Sequence, residues 1–242
     1  MFTMINSVRT TVLAIANKNN FGYISPNDFN LYAKQAQLDL FEDYFYAYNA
    51  QIRKENARQS GTGYANITQG LAEVIDSFSI VDNLSNPVGT ESNVYVVPNY
   101  YYINSLTRMN GGEILNEIEK VSQSKYYALQ VSNLTKPTEE YPVYVLDNNN
   151  ITVYPNTIVG NSAVSCSYIR YPLDPKWTYI DIASGEPVFD ATASDYQDFE
   201  LPASDEPSLV MKILQYAGVS IREKDLVTFG NNEELKEQQQ EQ

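Results

Sequence analysis

Between Pro26 and about Gln59 the chain carries no glycine and no second proline, so nothing interrupts a helix of unusual length. Its start is well signalled. Ser25 can cap, Pro26 fits the first helical position where its missing N–H costs nothing, and Asp28 can reach back as in a capping box. Phe29, Ala33, Ala36 and Leu40 fall on one face, while Leu31, Leu38, Phe41, Phe45, Tyr48 and Ile52 fall on another. A helix apolar on two faces must be covered on two sides. One side falls to partner helices of the same chain. The other is covered either within a compact monomer or by a neighbouring subunit, which makes Leu38, Phe41, Phe45, Tyr48 and Ile52 the candidate subunit-interface residues.

The segments around this helix divide by period. Ile5, Val8, Val12 and Ile15/Ala16 recur at helical spacing and predict a short first helix ending in Asn17-Lys18-Asn19-Asn20. Ser60-Gly61-Thr62-Gly63 reads as a hinge, and beyond it the pattern becomes strand-like. Val94–Val97, Tyr100–Leu106, Tyr127–Val131, Val143–Leu146, Ile151–Tyr154 and Ala163–Tyr171 are rich in Val, Ile and Tyr and are divided by Pro, Asn and Gly. Asp147-Asn148-Asn149-Asn150 predicts a hairpin turn, because Asn tolerates positive φ. Glu113–Gln123 reads as a short helix with Ile114, Ile118 and Val121 on one side. Leu209, Val210, Ile213, Leu214, Ala217 and Ile221 restore a helical stripe, with Ser204 as its cap and Pro207 in its first turn. The expected fold is α+β: two N-terminal helices and a C-terminal helix form a helical module, with an inserted, mainly antiparallel β sandwich or barrel. The expected boundaries are 1–87 and 207–230 for the helical parts, 88–180 for the β domain, 181–206 for an acidic connector and 231–242 for a disordered tail.

Composition narrows the chemistry. There is no histidine, so Ser-His-Asp and Cys-His pairs and His-containing zinc sites are excluded. One cysteine excludes an intramolecular disulfide and a thiolate cluster. Thirty Asp+Glu against sixteen Lys+Arg give a net charge of −14, which argues against a basic groove for a nucleic-acid backbone. More than half of that charge comes from Asp181–Glu206, where eight acidic residues meet no Lys or Arg. No N-terminal targeting pattern precedes the first helix, and no apolar run approaches the roughly 18–20 residues that cross a bilayer. A chain made in the cytoplasm and free of membrane is expected. Twenty Tyr is a marked skew, suited either to filling strands or to surfaces pressed against a partner.

Four motifs deserve a specific reading. The loop from Asn17 to Asp28 resembles a calcium-binding EF-hand in its Gly22, Ile24 and Asp28, but its first and third ligand positions are Asn and its fifth is Phe21. With a single acidic ligand it reads as a helix–turn–helix corner, with Gly22 in the turn. Asp195, Asp198 and Glu200 are candidates for a carboxylate glycosidase, against the simpler reading of a solvated acidic surface. Gly111-Gly112 and Gly61-Thr62-Gly63 lack the lysine and following helix of a phosphate loop. Cys166 alternates with Val164 and Tyr168 on an expected strand and reads as a small buried residue. No catalytic, metal-binding or cofactor-binding residue is expected.

Several runs carry a resemblance: Phe21-Gly-Tyr-Ile-Ser-Pro-Asn-Asp-Phe-Asn-Leu-Tyr-Ala-Lys-Gln-Ala-Gln-Leu-Asp-Leu-Phe-Glu-Asp-Tyr-Phe45, Lys136-Pro-Thr, Tyr141-Pro-Val-Tyr144, Ile151-Thr-Val-Tyr-Pro155, Tyr168-Ile-Arg-Tyr-Pro-Leu-Asp-Pro-Lys-Trp177, Phe199-Glu-Leu-Pro202 and Ile213-Leu-Gln-Tyr-Ala-Gly218. In this order they resemble a structural protein of crAss-like bacteriophages and related phages, over most of the chain from about residue 5 to 225. The resemblance implies a virion component of the neck, a closed ring or head-to-tail connector stacked below the portal. Such rings are commonly twelvefold, with the portal and other neck and tail rings as neighbours and genomic DNA passing without specific binding. It implies no catalytic residue, metal or cofactor. The alternative from the residues is a tail or baseplate protein whose β domain binds a glycan through tyrosines such as Tyr100-Tyr101-Tyr102, with a carboxylate glycosidase third.

Overall fold

The helical stripes at the two ends of the sequence pack into one unit. A computed structural model describes residues 3–16, 24–56, 67–86, 92–181 and 187–221, and the chain divides into two compact units, Met1–Val74 with Pro172–Gln242, and Ile75–Tyr171. The α-helices among the described residues are α1 (Met4–Ala16), α2 (Pro26–Asn56), α3 (Ile67–Asp76), α4 (Gln123–Gln130) and α5 (Glu206–Ile221). The strand-rich unit thus begins and ends earlier than the expected 88–180. The expected hinge at Ser60–Gly63, the corner at Asn17–Tyr23 and the tail at 231–242 lie outside the described residues.

In the helical unit, α1 and α2 both pack on α5. Ile5, Val8 and Val12 of α1, Phe29, Ala33, Ala36 and Phe41 of α2, and Leu209, Val210, Ile213, Leu214 and Ala217 of α5 are buried. A Val, Leu, Ile or Phe side chain removed from water contributes about 1.5–3 kcal/mol, so these stripes are the main source of the unit's stability. Ser204 does not cap α5. It lies in a 3-10 turn, Ala203–Asp205, that runs directly into the helix, while Pro207 does occupy the first turn.

The chain re-enters this unit through Trp177, which is buried. Its backbone N–H donates to Asn30 Oδ1 at 2.8 Å and its carbonyl accepts from Asn30 Nδ2 at 3.2 Å, while its indole N–H donates to Asn6 Oδ1 at 3.1 Å. The guanidinium of Arg9 lies 3.7 Å from the ring centroid, a cation–π contact in a place where water is scarce. Tyr179 and Phe189 stack on the indole at 5.6 and 5.8 Å, and they face each other across a small antiparallel ribbon, β8 (Tyr179–Asp181) with β9 (Pro187–Phe189).

Over its described residues from 187 on, this overturns the expectation of an extended, solvated connector at 181–206, of which 182–186 lie outside the described residues. Phe199 and Leu201 are buried, and Lys176 and Gln197 form a β-bridge. The acids themselves act as fasteners. Asp198 accepts the N–H groups of Met4 and Ile5 at 3.0 and 2.8 Å, capping α1 from far along the chain. Glu206 accepts from the hydroxyl of Ser7, Glu200 from the N–H of Leu173, and Asp195 binds Lys176.

The strand-rich unit is a mixed, mostly antiparallel sheet of seven strands in the order β1-β7-β3-β4-β5-β6-β2, with the single parallel pair β4–β5. The strands are β1 (Ser79–Asn83), β2 (Val94–Val96), β3 (Tyr100–Asn110), β4 (Glu113–Lys120), β5 (Val143–Asp147), β6 (Asn150–Tyr154) and β7 (Val164–Arg170). Tyr95, Ile103, Leu106, Ile118, Tyr144, Ile151, Val153, Val164, Cys166 and Tyr168, from β2 through β7, share one core, so the sheet curls upon itself. The expected α+β class is what the chain adopts.

Two local expectations exchange places. Glu113–Gln123 is not a helix but β4 running into α4, and Tyr127–Val131 is not a strand, because α4 takes up its first four residues. Gly111 and Gly112, at φ +60° and +93°, make a two-residue turn that places Glu113 opposite Asn110 and pairs β4 with β3. Ile114 and Ile118 are four apart, a spacing that suits period 2 as well as 3.6. The helix starts instead at Ser122, whose Oγ accepts the N–H of Lys125 at 3.3 Å. At Asp147–Asn150 the hairpin forms as expected, with Asn148 at φ +52°.

The capping role of Asp198 yields a prediction. Asp198→Ala removes the acceptor of two α1 N–H groups and destabilises the protein by about 1 kcal/mol, lowering the midpoint by about 2–4 °C. Asp198→Asn retains most of that loss. Thermal melts of the two variants against wild type check it, and an unchanged midpoint for the alanine variant would refute the cap.

Candidate subunit interface on α2

The long helix begins as its sequence dictates. Ser25 Oγ accepts the Asp28 N–H at 3.2 Å and donates to Asp28 Oδ2 at 2.6 Å, and the Ser25 carbonyl accepts the Phe29 N–H at 2.9 Å. From there one face turns inward. Gln37 is buried on it at 1 % exposure with both ends of its amide used: Nε2 donates to the Leu173 carbonyl at 2.7 Å, and Oε1 accepts the Glu200 N–H at 3.1 Å. A buried amide so satisfied fixes the helix to the returning chain without the cost of an unpaired polar group. Further along, Asp39 accepts from the Tyr216 hydroxyl, Tyr44 donates to Asp205, and Asp43 pairs with Lys212 at 3.1 Å, tying α2 to α5 and its leading turn.

The five candidate residues do not share one fate. Phe41 is 1 % exposed and packs edge-on against Phe45 at 5.0 Å between ring centroids. It belongs to the core and has no surface to offer a neighbour, because it follows Gln37 by four residues on the inward face. Leu38, Phe45, Tyr48 and Ile52 are half-buried. Leu31, at 63 % exposure, and Tyr46, at 73 %, extend the outer surface and were absent from the candidate set. The signal for Leu31 is present in the sequence: Leu31, Leu38, Phe45 and Ile52 recur every seven residues, the spacing of a helix seam that faces another helix.

The other candidate chemistries resolve differently. Asp195 is held below the usual carboxylate range by its hydrogen bond from Lys176, and Asp198 and Glu200 are engaged with backbone N–H groups. Each is therefore a structural acceptor in the resting fold. Asp28 is tied to Ser25, and among the described residues no group of three or more His, Cys, Asp or Glu can hold a metal ion. Cys166 is buried among the strands, and burial pushes its thiol up to about 12. The tyrosine triplet does not form one platform. A register shift on β3 separates its members: Tyr100 packs on the core and donates to the Asn148 carbonyl at 2.9 Å, Tyr101 meets Tyr171 edge-on at 5.3 Å, and Tyr102 is exposed. No helix among the described residues is long and apolar enough to cross a membrane. Set beside known protein families and curated proteins, the chain matches none.

Asp205, where the leading turn of α5 meets α2, sets a pH dependence. Burial raises its carboxyl above the ordinary value, outweighing the hydrogen bond from Tyr44 that lowers it. The folded state therefore holds this proton more tightly than the unfolded state, and stability falls as pH rises from about 4 through the raised folded value. Asp205→Asn keeps an acceptor for Tyr44 without the charge. The variant is expected to be at least as stable as wild type at pH 7, with its advantage shrinking on acidification toward pH 4. Urea midpoints of both proteins across that range check the sign.

Proposed function

We propose that the chain is a non-enzymatic structural subunit of a bacteriophage virion, forming a ring in the neck between portal and tail. The observation that carries this reading is the outer side of α2: one face is consumed by the chain's own α5 and returning segment, while Leu31, Leu38, Phe45 and Ile52 remain partly open along the other. A ring is closed by head-to-tail contacts, which require each subunit to offer surfaces that differ from those they meet. The resemblance of the Phe21–Phe45, Tyr168–Trp177 and Ile213–Gly218 runs to neck proteins of crAss-like phages gives this surface its setting. On this reading twelve copies match a twelvefold portal, other neck and tail rings dock on the assembly, and genomic DNA passes through without specific binding. The excess of acidic residues suits such passage, since phosphates find few cations to hold them. No cofactor, metal or membrane takes part.

The expected outcome of particle imaging with cross-linking mass spectrometry is density for this chain as a ring against the portal, with cross-links to the portal protein. Its location at a fibre tip or baseplate would sink the proposal. The purified chain is expected to be monomeric or weakly associated by mass photometry, the portal serving as template. A stable closed dimer would count against it.

A further inference from the structure

We propose that the turn joining β3 to β4 is a self-modifying site, at which the Gly111 nitrogen attacks the Asn110 side chain and converts its amide to aspartate and isoaspartate. The turn alone carries this, whether or not the chain forms a ring.

Asn110-Gly111 is the one place in the 242 residues where an asparagine is followed by a glycine. Its neighbouring nitrogen therefore belongs to a residue with no side chain to crowd an attack. The fold leaves the pair open. Met109 gives its N–H to the Ala163 carbonyl at 2.8 Å, so by strand alternation the backbone groups of Asn110 turn the other way, toward Glu113, its partner on β4. The Asn110 side chain and the Gly111 N–H stay outside that ladder, and both residues are exposed. None of the described residues hydrogen-bonds the Asn110 carboxamide or accepts the Gly111 N–H. Beyond its chain neighbours, no heavy atom lies within 4 Å of where a Cβ on Gly111 would stand, so nothing packs over the turn. Asn6-Ser7 shows the opposite arrangement: Asn6 Oδ1 is held by the Trp177 indole N–H at 3.1 Å, and the Ser7 N–H donates to the Thr3 carbonyl at 3.3 Å. Both reactants are engaged there, and neither is engaged at Asn110.

The steps need only hydroxide and water. Hydroxide takes the Gly111 amide proton, the freed nitrogen bonds to Asn110 Cγ, and the Cγ–Nδ2 bond breaks. The departing group takes a proton from water and leaves as ammonia, and a cyclic succinimide remains. Water then opens the ring, with no change of oxidation state. Opening at Cγ gives aspartate on an unchanged backbone, whereas opening at the main-chain carbonyl gives isoaspartate, whose backbone runs through the side chain and is one carbon longer. Either product places a carboxylate at the position paired with Glu113, and like charges facing each other across a strand pair destabilise it. Isoaspartate also lengthens the chain where the register of β3 against β4 is set. The modification therefore loosens this hairpin from its tip.

Incubation of the full chain in neutral and in mildly alkaline buffer, followed by digestion and mass spectrometry that separates aspartate from isoaspartate, tests this. Asn110 is expected to lose its amide in proportion to the hydroxide concentration, ahead of every other asparagine, and to give both products. Asn110→Gln is expected to leave the position unconverted over the same time, because its longer side chain must close a larger ring. Gly111→Ala is expected to slow the conversion about tenfold by placing a methyl beside the attacking nitrogen, with the melting midpoint verifying that the variant folds. A parallel incubation of wild type in urea isolates what the fold contributes and needs no variant: Asn6 is expected to stay intact in the native chain and to convert once unfolded, whereas Asn110 converts in both. The inference is overturned if Asn110 keeps its amide in the native chain, if aspartate forms there without isoaspartate, if a folded Gly111→Ala converts as fast as wild type, or if Asn6 converts as fast as Asn110 in the native chain.

Discussion

The helical unit is organised around one buried indole. Trp177 sits where α1, α2 and the returning chain converge, and each contributes a matched group: Asn6 and Arg9 from α1, Asn30 from α2, and Tyr179 and Phe189 from the ribbon beyond. A large side chain with one polar edge can be buried only if that edge finds an acceptor, and Asn6 supplies it. The reciprocal pair between Asn30 and the Trp177 backbone then fixes the segment's register against α2. The inward face of α2 is committed by these contacts and by Gln37, and what the helix has left to offer a partner is its other side.

How much of this was legible varies with the range of the interaction. The stripes of α1, α2 and α5 are local patterns, as is the Ser25 cap, and all were readable from residue spacing. The hairpin at Asn148 was equally plain, because a left-handed residue between two apolar runs has few alternatives. The exchange between β4 and α4 was not: Ile114 and Ile118 satisfy both periods, and only the geometry of Gly111-Gly112 decides between them. Nor was the core position of Phe41, since the two faces of α2 differ by a rotation that only packing against the returning chain sets.

The acidic segment marks the deepest gap between composition and structure. Eight acids without a base suggest repulsion and solvation, and on composition alone the stretch reads as a connector. What the sequence does not display is that three of them meet N–H groups and hydroxyls on α1 and α2: Met4 and Ile5 for Asp198, Ser7 for Glu206, and Tyr44 for Asp205. Carboxylates meeting uncharged donors from distant segments leave no trace in charge counts.

The discontinuity of the helical unit has a consequence in time. Residues Ile75–Tyr171 lie between its two parts, so during synthesis α1 and α2 emerge without Trp177, the acidic acceptors or α5. At about 5–20 residues per second, those groups follow after a delay of the order of ten seconds. For that interval Ile5, Val8, Val12, Phe29 and Phe41 lack the surface they will be buried against, and by its end the strand-rich unit has the whole of its own sequence. The order of the chain therefore makes closure of the helical unit the last event, and any encounter that captures α2 before then meets both of its apolar faces.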